Sequence, residues 1–264
     1  GSAPSLGILK ADGTRRITEF VEKPKDPAVL AKMESKSAMP KGRPFLASMG
    51  IYIFNRDALR QCLDGNDGKD FGKNILPAAI QTKKVSAYIH DGYWEDIGTI
   101  GAFYRANLDL LAREPKFDFG LGTAPIYTRA RFLPGSVVEQ CQVKRAIVSD
   151  GCTILQSVLD HAVIGIRSRI GENCQVRRSI LMGADYFETP AQRKDNLKRK
   201  RPDIGIAEGT VIEDAIVDKN VRIGKNVVIR ASGKSGDVDG VNFFVRDGIV
   251  IIPKGATVPD GSVI

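Results

Sequence analysis

The stretch CTILQSVLDHAVIGIRSRIGENCQV, residues 152–176, decides the fold of the second half of the chain. Cys152, Val158, Ile164, Ile170 and Val176 recur at every sixth position, and the same spacing returns in Ile206 and Ile212, in Val211, Val217, Ile223 and Ile229, and in Ile252, Val258 and Ile264. Glycine follows several of these or lies beside them, as in Ile164-Gly165, Ile170-Gly171, Ile204-Gly205 and Ile223-Gly224. A half-buried strand alternates with period two. A period of six instead marks short parallel strands stacked as successive coils, the apolar residue of each hexad filling the interior. The spacing therefore predicts a β-helix over residues 136–264.

Working outward, the basic run Arg193, Lys194, Lys198, Arg199, Lys200 and Arg201 falls in a stretch without hexads between Met182 and Ile204. Such a run suits a nucleic-acid patch, but no aromatic residues interleave it, so it reads as a solvated loop between coils. Upstream the pattern changes to α/β. Residues 47–54 read as an apolar strand, a helix follows over 55–63 with Asn55 or Asp57 as cap, 85–90 alternate as a strand, and 99–111 read as a helix capped by Thr99. Residues 114–135, with Pro115, Pro125, Pro134, Gly120 and Gly122, form a linker. The division is thus 5–113, a linker over 114–135, and 136–264.

Composition narrows the classes. A chain of 264 residues suggests about two domains at roughly 150 residues each, and 42% hydrophobic with 27% charged residues is a globular balance. No apolar run reaches the roughly 18 residues that span a bilayer, and no signal segment opens the chain, so a soluble, non-secreted protein is expected. Gly1-Ser2 read as an expression scar. The net charge of +8 favours anionic partners. Cys62, Cys141, Cys152 and Cys174 form no Cys-x-x-Cys pair, which points to reduced thiols and away from zinc.

Two pieces carry chemistry. In Phe20-Val21-Glu22-Lys23-Pro24 a carboxylate and an ammonium adjoin at a strand end. A turn at Pro24 can bring both to one cleft, where Glu22 accepts from sugar hydroxyls and Lys23 meets a phosphate; a solvated surface pair is the plain alternative. In Trp94-Glu95-Asp96-Ile97-Gly98-Thr99 an acidic pair precedes a helix start, where Asp96 offers oxygen to Mg²⁺ or merely helps cap the helix. No phosphate-binding loop accompanies them. The glycine-rich stretch 64–70 has the wrong spacing, Gly233-Lys234-Ser235 lacks its upstream glycine, and both read as surface turns. His90 and His161 have no nucleophile nearby.

In order, residues 17–24, Phe45 to Tyr52, Tyr93 to Thr99, Ala124 to Thr128, Ser179 to Tyr186, Ile216 to Asn220 and Ile252-Pro253-Lys254 resemble the ADP-glucose pyrophosphorylases (glucose-1-phosphate adenylyltransferases) from about residue 6 onward, and are most similar to the cyanobacterial and plant type. The resemblance implies part of a Rossmann-like nucleotidyltransferase domain lacking its N-terminal half, then a left-handed parallel β-helix. It implies that Glu22 and Lys23 hold glucose 1-phosphate with Ser48 at the sugar, and that Asp96 is one of two catalytic aspartates on Mg²⁺. Arg131, Lys219 and Lys254 correspond to positions that bind a phosphorylated allosteric effector between the domains. ATP, a homo- or heterotetramer, glycogen or starch synthesis, and a bacterial cytoplasm or plastid stroma are implied as well, with no nucleic-acid or membrane partner. The glycine-rich nucleotide loop and the second aspartate have no counterpart before Ser5, so the chain by itself is expected to release no pyrophosphate from ATP and glucose 1-phosphate. A β-helix acyltransferase using His161, testable by acetyl-coenzyme A binding, and a non-catalytic assembly subunit are the rivals.

Overall fold

The computed structural model describes residues 5–35, 44–64, 68, 70–120, 125–231 and 236–264. Most of the glycine-rich turn at 64–70, the stretch Gly233-Lys234-Ser235, Ala124 and the first four residues lie outside the described residues. The chain divides into two compact units, Gly1–Trp94 and Glu95–Ile264.

In the first unit, β1 (Gly7–Ala11) is central in a three-stranded antiparallel sheet between β2 (Ile17–Glu22) and β3 (Leu46–Ala47). Helix α1 (Pro27–Lys32) is capped by Asp26, whose carboxylate accepts from Ala28 N–H. Helix α2 (Arg56–Asp64) lies one residue from its sequence expectation. A π-helical turn, Phe71–Ile75, leads into α3 (Leu76–Thr82). Ile8, Phe20, Met33, Leu46, Ile75 and Leu76 form the buried centre. The strand expected over 47–54 stops at Ala47. Beyond it only Ser48 N–H continues the ladder, to the Gly7 carbonyl (2.8 Å), and no further strand among the described residues receives 49–54. Without partners for their backbone groups an apolar sequence makes no sheet, and Ile53 is 99% exposed. Residues 85–90 fall short for the same reason: they contribute one bridge, Ser86 to Arg16.

The second unit opens with α4 (Ile100–Asp109), capped by Thr99 as its sequence predicts (Ala102 N–H to Oγ1, 3.2 Å). Then come β4 (Val137–Glu139), β5 (Gln142–Val148), β6 (Thr153–Leu155), β7 (Val158–Ile164), β8 (Arg169–Ile170) and β9 (Gln175–Leu181). Helix α5 (Pro190–Lys198) interrupts before β10 (Gly205–Ile206), β11 (Val211–Glu213), β12 (Ala215–Val217), β13 (Arg222–Ile223) and β14 (Val228–Ile229). The strands β15 (Val238–Asp239), β16 (Phe244–Arg246), β17 (Ile249–Ile252) and β18 (Thr257–Val258) finish the chain. Pairing along the coils is parallel and makes three faces. The first holds β4, β6, β8, β10, β13 and β18. The first halves of β5, β7 and β9 continue into β11 and β14, and their second halves into β12 and β17. Strands β15 and β16 extend the third face in antiparallel fashion.

The interior corrects the sequence spacing in one respect. Ile206, Ile212, Val217, Ile223 and Ile229 are all buried and step by six, five, six and six. Val158 and Val211, counted as inward by a strict period of six, are half-exposed, while Leu159 and Ile212 beside them are fully buried. The missing residue belongs to the corner between the second and third faces, where a single left-handed residue turns the chain: Arg145, His161, Arg178 and Asp214, with φ of 52°, 52°, 43° and 51°.

Helix α4 packs Ile100, Phe103, Tyr104 and Leu108 against Ile180, Ile216 and Ile249 of the third face. Tyr104 donates its hydroxyl hydrogen to the Arg178 carbonyl, and Gly101 N–H donates to the Asp247 carboxylate (3.0 Å) at the tip of the β16–β17 hairpin. In packing, α4 therefore belongs with the coils. No helix among the described residues is long and apolar enough to cross a membrane.

The insertion between β9 and β10 is also more than a solvated loop. Thr189 and Gln192 form a reciprocal capping box with Pro190 at the first helical position, which explains why a polar, basic segment is helical. Beneath it, Glu188 accepts from Asn196 Nδ2 (2.7 Å), Arg222 Nη2 (2.6 Å) and Ile204 N–H (2.8 Å).

Candidate functional site

Most of the residues singled out in the sequence fall into three places, with Arg131 and His161 apart from them. In the first unit, β2 ends at Glu22, and Lys23 takes a left-handed conformation (φ 48°), its N–H donating to the Leu6 carbonyl (3.2 Å). That reversal, rather than the ring of Pro24 alone, lets consecutive side chains serve one region. The Glu22 carboxylate lies over the backbone of Gly7 and Gly72, so closely that a methyl added at Gly72 would stand 2.6 Å from Oε2. Lys23 is close enough to Asp70 to help hold that carboxyl below its usual range. The larger cause is the hydrogen bond Asp70 accepts from Lys73 N–H as cap of the π-helical turn.

Ser48 reaches the same turn through aromatic rings. Its Oγ is 3.1 Å from the Tyr52 hydroxyl, and the Tyr52 ring stacks on Phe71 at 5.9 Å and 11°. Glu22, Lys23, Ser48, Tyr52, Asp70 and Phe71 thus converge around the start of the π-helical turn, a kind of irregularity frequent at functional sites. Carboxylates accept from sugar hydroxyls, an aromatic ring covers apolar sugar faces, and an ammonium meets a phosphate. Sequence reasoning missed Tyr52, Asp70 and Phe71. The signal for them in the sequence is Asp70-Phe71-Gly72, directly after a glycine-rich stretch whose spacing fits no phosphate loop.

Asp96 lies in the second unit, exposed, three residues ahead of the Thr99 cap. Its Oδ1 accepts from Gly98 N–H (3.1 Å), leaving Oδ2 available. Among the described residues no group of three or more His, Cys, Asp or Glu is arranged to hold a metal ion. One free carboxylate oxygen fits a Mg²⁺ held chiefly by substrate phosphates and water, and not an all-protein cage.

The third place is a corner of the β-helix. Between the third and first faces each coil turns through a left-handed residue, Gly183, Asn220 and Gly255 among them. Asn220 N–H donates to the Gly183 carbonyl (3.0 Å) and Gly255 N–H to the Lys219 carbonyl (2.9 Å). Lys219 and Lys254, thirty-five residues apart, therefore occupy the same position in adjacent coils. Both ammoniums donate to Asp185, Lys219 to Oδ1 (3.0 Å) and Lys254 to Oδ2 (2.8 Å). Those bonds, Lys254 first, hold the Asp185 carboxyl far below the carboxylate range. Arg131 bonds elsewhere, its guanidinium donating to the Arg129 carbonyl (3.3 Å). His161, the acyltransferase candidate, is a corner residue whose Nδ1 pairs with its neighbour Asp160 (2.7 Å).

An α/β unit followed by a parallel β-helix is a layout found among nucleotidyltransferases. Residues 1–113 match the family model of the nucleotidyl transferases, and residues 131–263 match that of the GLGC left-handed parallel β-helix domain. The chain belongs to the GLGC β-helix family and has, in the order of its two domains, the architecture of the ADP-glucose pyrophosphorylases. The β-helix expected from the hexads, and the nucleotidyltransferase domain and left hand that the resemblance implied, are the ones found, and nucleotidyl transfer is the class of chemistry.

Proposed function

We propose that this chain belongs to a glucose-1-phosphate adenylyltransferase, forming ADP-glucose and pyrophosphate from ATP and glucose 1-phosphate for glycogen or starch synthesis. The observation that carries this reading is the convergence of the Glu22 carboxylate and Lys23 on the turn at Asp70–Gly72, in a chain with the ADP-glucose pyrophosphorylase architecture.

Glu22 and Asp70 accept from the glucose hydroxyls, Ser48 and Tyr52 fix the ring, and Lys23 neutralises and aims the phosphate. An oxygen of that phosphate attacks the α-phosphorus of ATP in line and pyrophosphate leaves. The protein contributes position and charge, which suffice for a phosphoryl-type transfer. Asp96 would hold Mg²⁺, which supplies charge neutralisation at the phosphates. Arg131, Lys219 and Lys254 receive a phosphorylated effector. The protein assembles as a tetramer, and the exposed Val138 and Val143 on the first coil are a surface that a neighbouring subunit would cover. Residues 114–135 serve as the linker between the sequence regions 5–113 and 136–264, with α4 of the first packed on the coils of the second.

The test is calorimetric titration with glucose 1-phosphate. Lys23→Ala is expected to weaken binding roughly tenfold or more, the worth of a hydrogen bond to a charged group, with glucose itself unaffected; equal affinities in parent and variant refute the assignment. Gly72→Ala makes a separate point. The added methyl meets the flexible end of Glu22, so thermal stability should hardly change while glucose 1-phosphate affinity falls about fivefold, one hydrogen bond's worth.

A further inference from the structure

The corner at Lys219 and Lys254 contains a third charged group that the effector reading does not use. Asp185 stands two residues beyond Gly183, the corresponding corner of the preceding coil, and its carboxylate takes both lysine ammoniums together with Asn220 Nδ2 (3.0 Å). Asn220 Oδ1 in turn accepts from Asp185 N–H (2.8 Å). The carboxylate is thus pinned from the coil below, yet about a third of it remains exposed, as do parts of both lysines.

The lysines do not need Asp185 to be where they are. Their neighbourhood follows from coil register, through Gly255 N–H on the Lys219 carbonyl and Asn220 N–H on the Gly183 carbonyl. What Asp185 supplies is an anion already in place. Two ammoniums and one carboxylate leave a single net positive charge, and Asp218, whose Oδ1 accepts from Lys219 N–H, lowers the local potential further.

We propose that Asp185 is a tethered competitor for the anion site of Lys219 and Lys254, so that the site yields to phosphomonoester dianions and turns away singly charged anions. This rests on the reading of those lysines as the effector site. A free carboxylate or phosphodiester offers the ammoniums nothing that Asp185 does not, and it competes against a group tethered at high effective concentration. A phosphomonoester carries nearly two charges at neutral pH and three acceptor oxygens, enough to draw both lysines outward while Asp185 stays bonded to Asn220.

The experiment is calorimetric titration of the full chain at neutral pH with inorganic phosphate and, separately, with acetate. It compares the parent with Asp185→Asn, Lys219→Ala/Lys254→Ala, and the three changes combined. Asparagine keeps the shape and an acceptor oxygen, thermal unfolding checks the fold, and Asp185→Ser serves as a second variant. The expected result is a gain of roughly tenfold in phosphate affinity for Asp185→Asn, from removal of one like charge at contact distance. Measurable acetate binding should appear with it, and both should vanish when the lysines are removed. If Asp185→Asn and Asp185→Ser bind phosphate no more tightly than the parent while the lysine variant loses it, the competitor role is overturned and the effector site stands. If removing both lysines leaves phosphate binding unchanged, or no form binds phosphate, the effector reading fails and takes this inference with it.

Discussion

Glu188→Ala is expected to lower the unfolding free energy by about 3–5 kcal/mol, the cost of stranding one partner of a buried ion pair. Its carboxylate side chain is 3% exposed and that of Arg222 11%. Three donors would lose their acceptor at once: Arg222, Asn196 and the backbone N–H of Ile204. Asn196 also joins Asp203 and Arg201, so the change releases the base of α5 from β10 and β13 together. Urea unfolding followed by circular dichroism measures the loss. Replacing both partners by apolar residues, Glu188→Leu with Arg222→Met, should cost less, since no charge is then left unpaired, though the Asn196 amide and the Ile204 N–H still lose this acceptor. Burial disfavours the Glu188 carboxylate, but its hydrogen bonds to Asn196 and Ile204 and the Arg222 charge outweigh that and hold its pKa below the ordinary value. A group whose folded pKa is depressed stabilises above its unfolded pKa, and the contribution disappears as pH falls through the folded value. Stability of the parent should therefore drop in mild acid below about pH 4.5, and Glu188→Gln should show a flatter profile there.

Gly183→Ala is the second large effect, about 3 kcal/mol or more, read as a fall in melting temperature. Gly183 has φ +83°, a conformation costing an L side chain on the order of 1–3 kcal/mol. A Cβ there would stand 2.0 Å from the Ile166 carbonyl oxygen, and that obstacle is backbone of the preceding coil, which cannot swing aside. The coils would have to part at the corner that places Asp185 over Lys219. Phosphate binding at Lys219 and Lys254 should change in the same variant, whereas glucose 1-phosphate binding through Lys23 should not.

The β-helix was legible because its signal is collective: Ile164, Ile170, Ile206, Ile223, Val258 and their partners repeat one environment many times, and an error at Val158 leaves the pattern intact. That same averaging hid the five-residue corner, which shows only as a left-handed turn at residues such as His161 and Arg178. Local sequence overstates the strands at 47–54 and 85–90 for the opposite reason. Ile51, Ile53 and Tyr88 have strand-forming side chains, but a strand is a relation to a neighbour, and local sequence says nothing about whether one is there. At the candidate site, Glu22 and Lys23 stood out as an adjacent pair. Asp70 and Tyr52 join them only through tertiary contacts made by the π-helical turn. Asp185 stayed invisible because its importance depends on two lysines that reach it from later coils.

The six-five-six coil has an evolutionary corollary. In most domains a deleted residue is absorbed by the nearest loop. Between Gly205 and Ile229 it would instead put every later apolar side chain out of phase, turning Ile223 or Ile229 toward water. Length can change only in quanta, by a complete coil of about seventeen residues or by a segment that leaves and re-enters at a corner. Residues 182–204 and the excursion that carries β15 and β16 are both of the second kind. Such proteins are expected to diverge by exchanging what hangs from the corners while the frame of the coils is conserved, as a reading frame is in a gene.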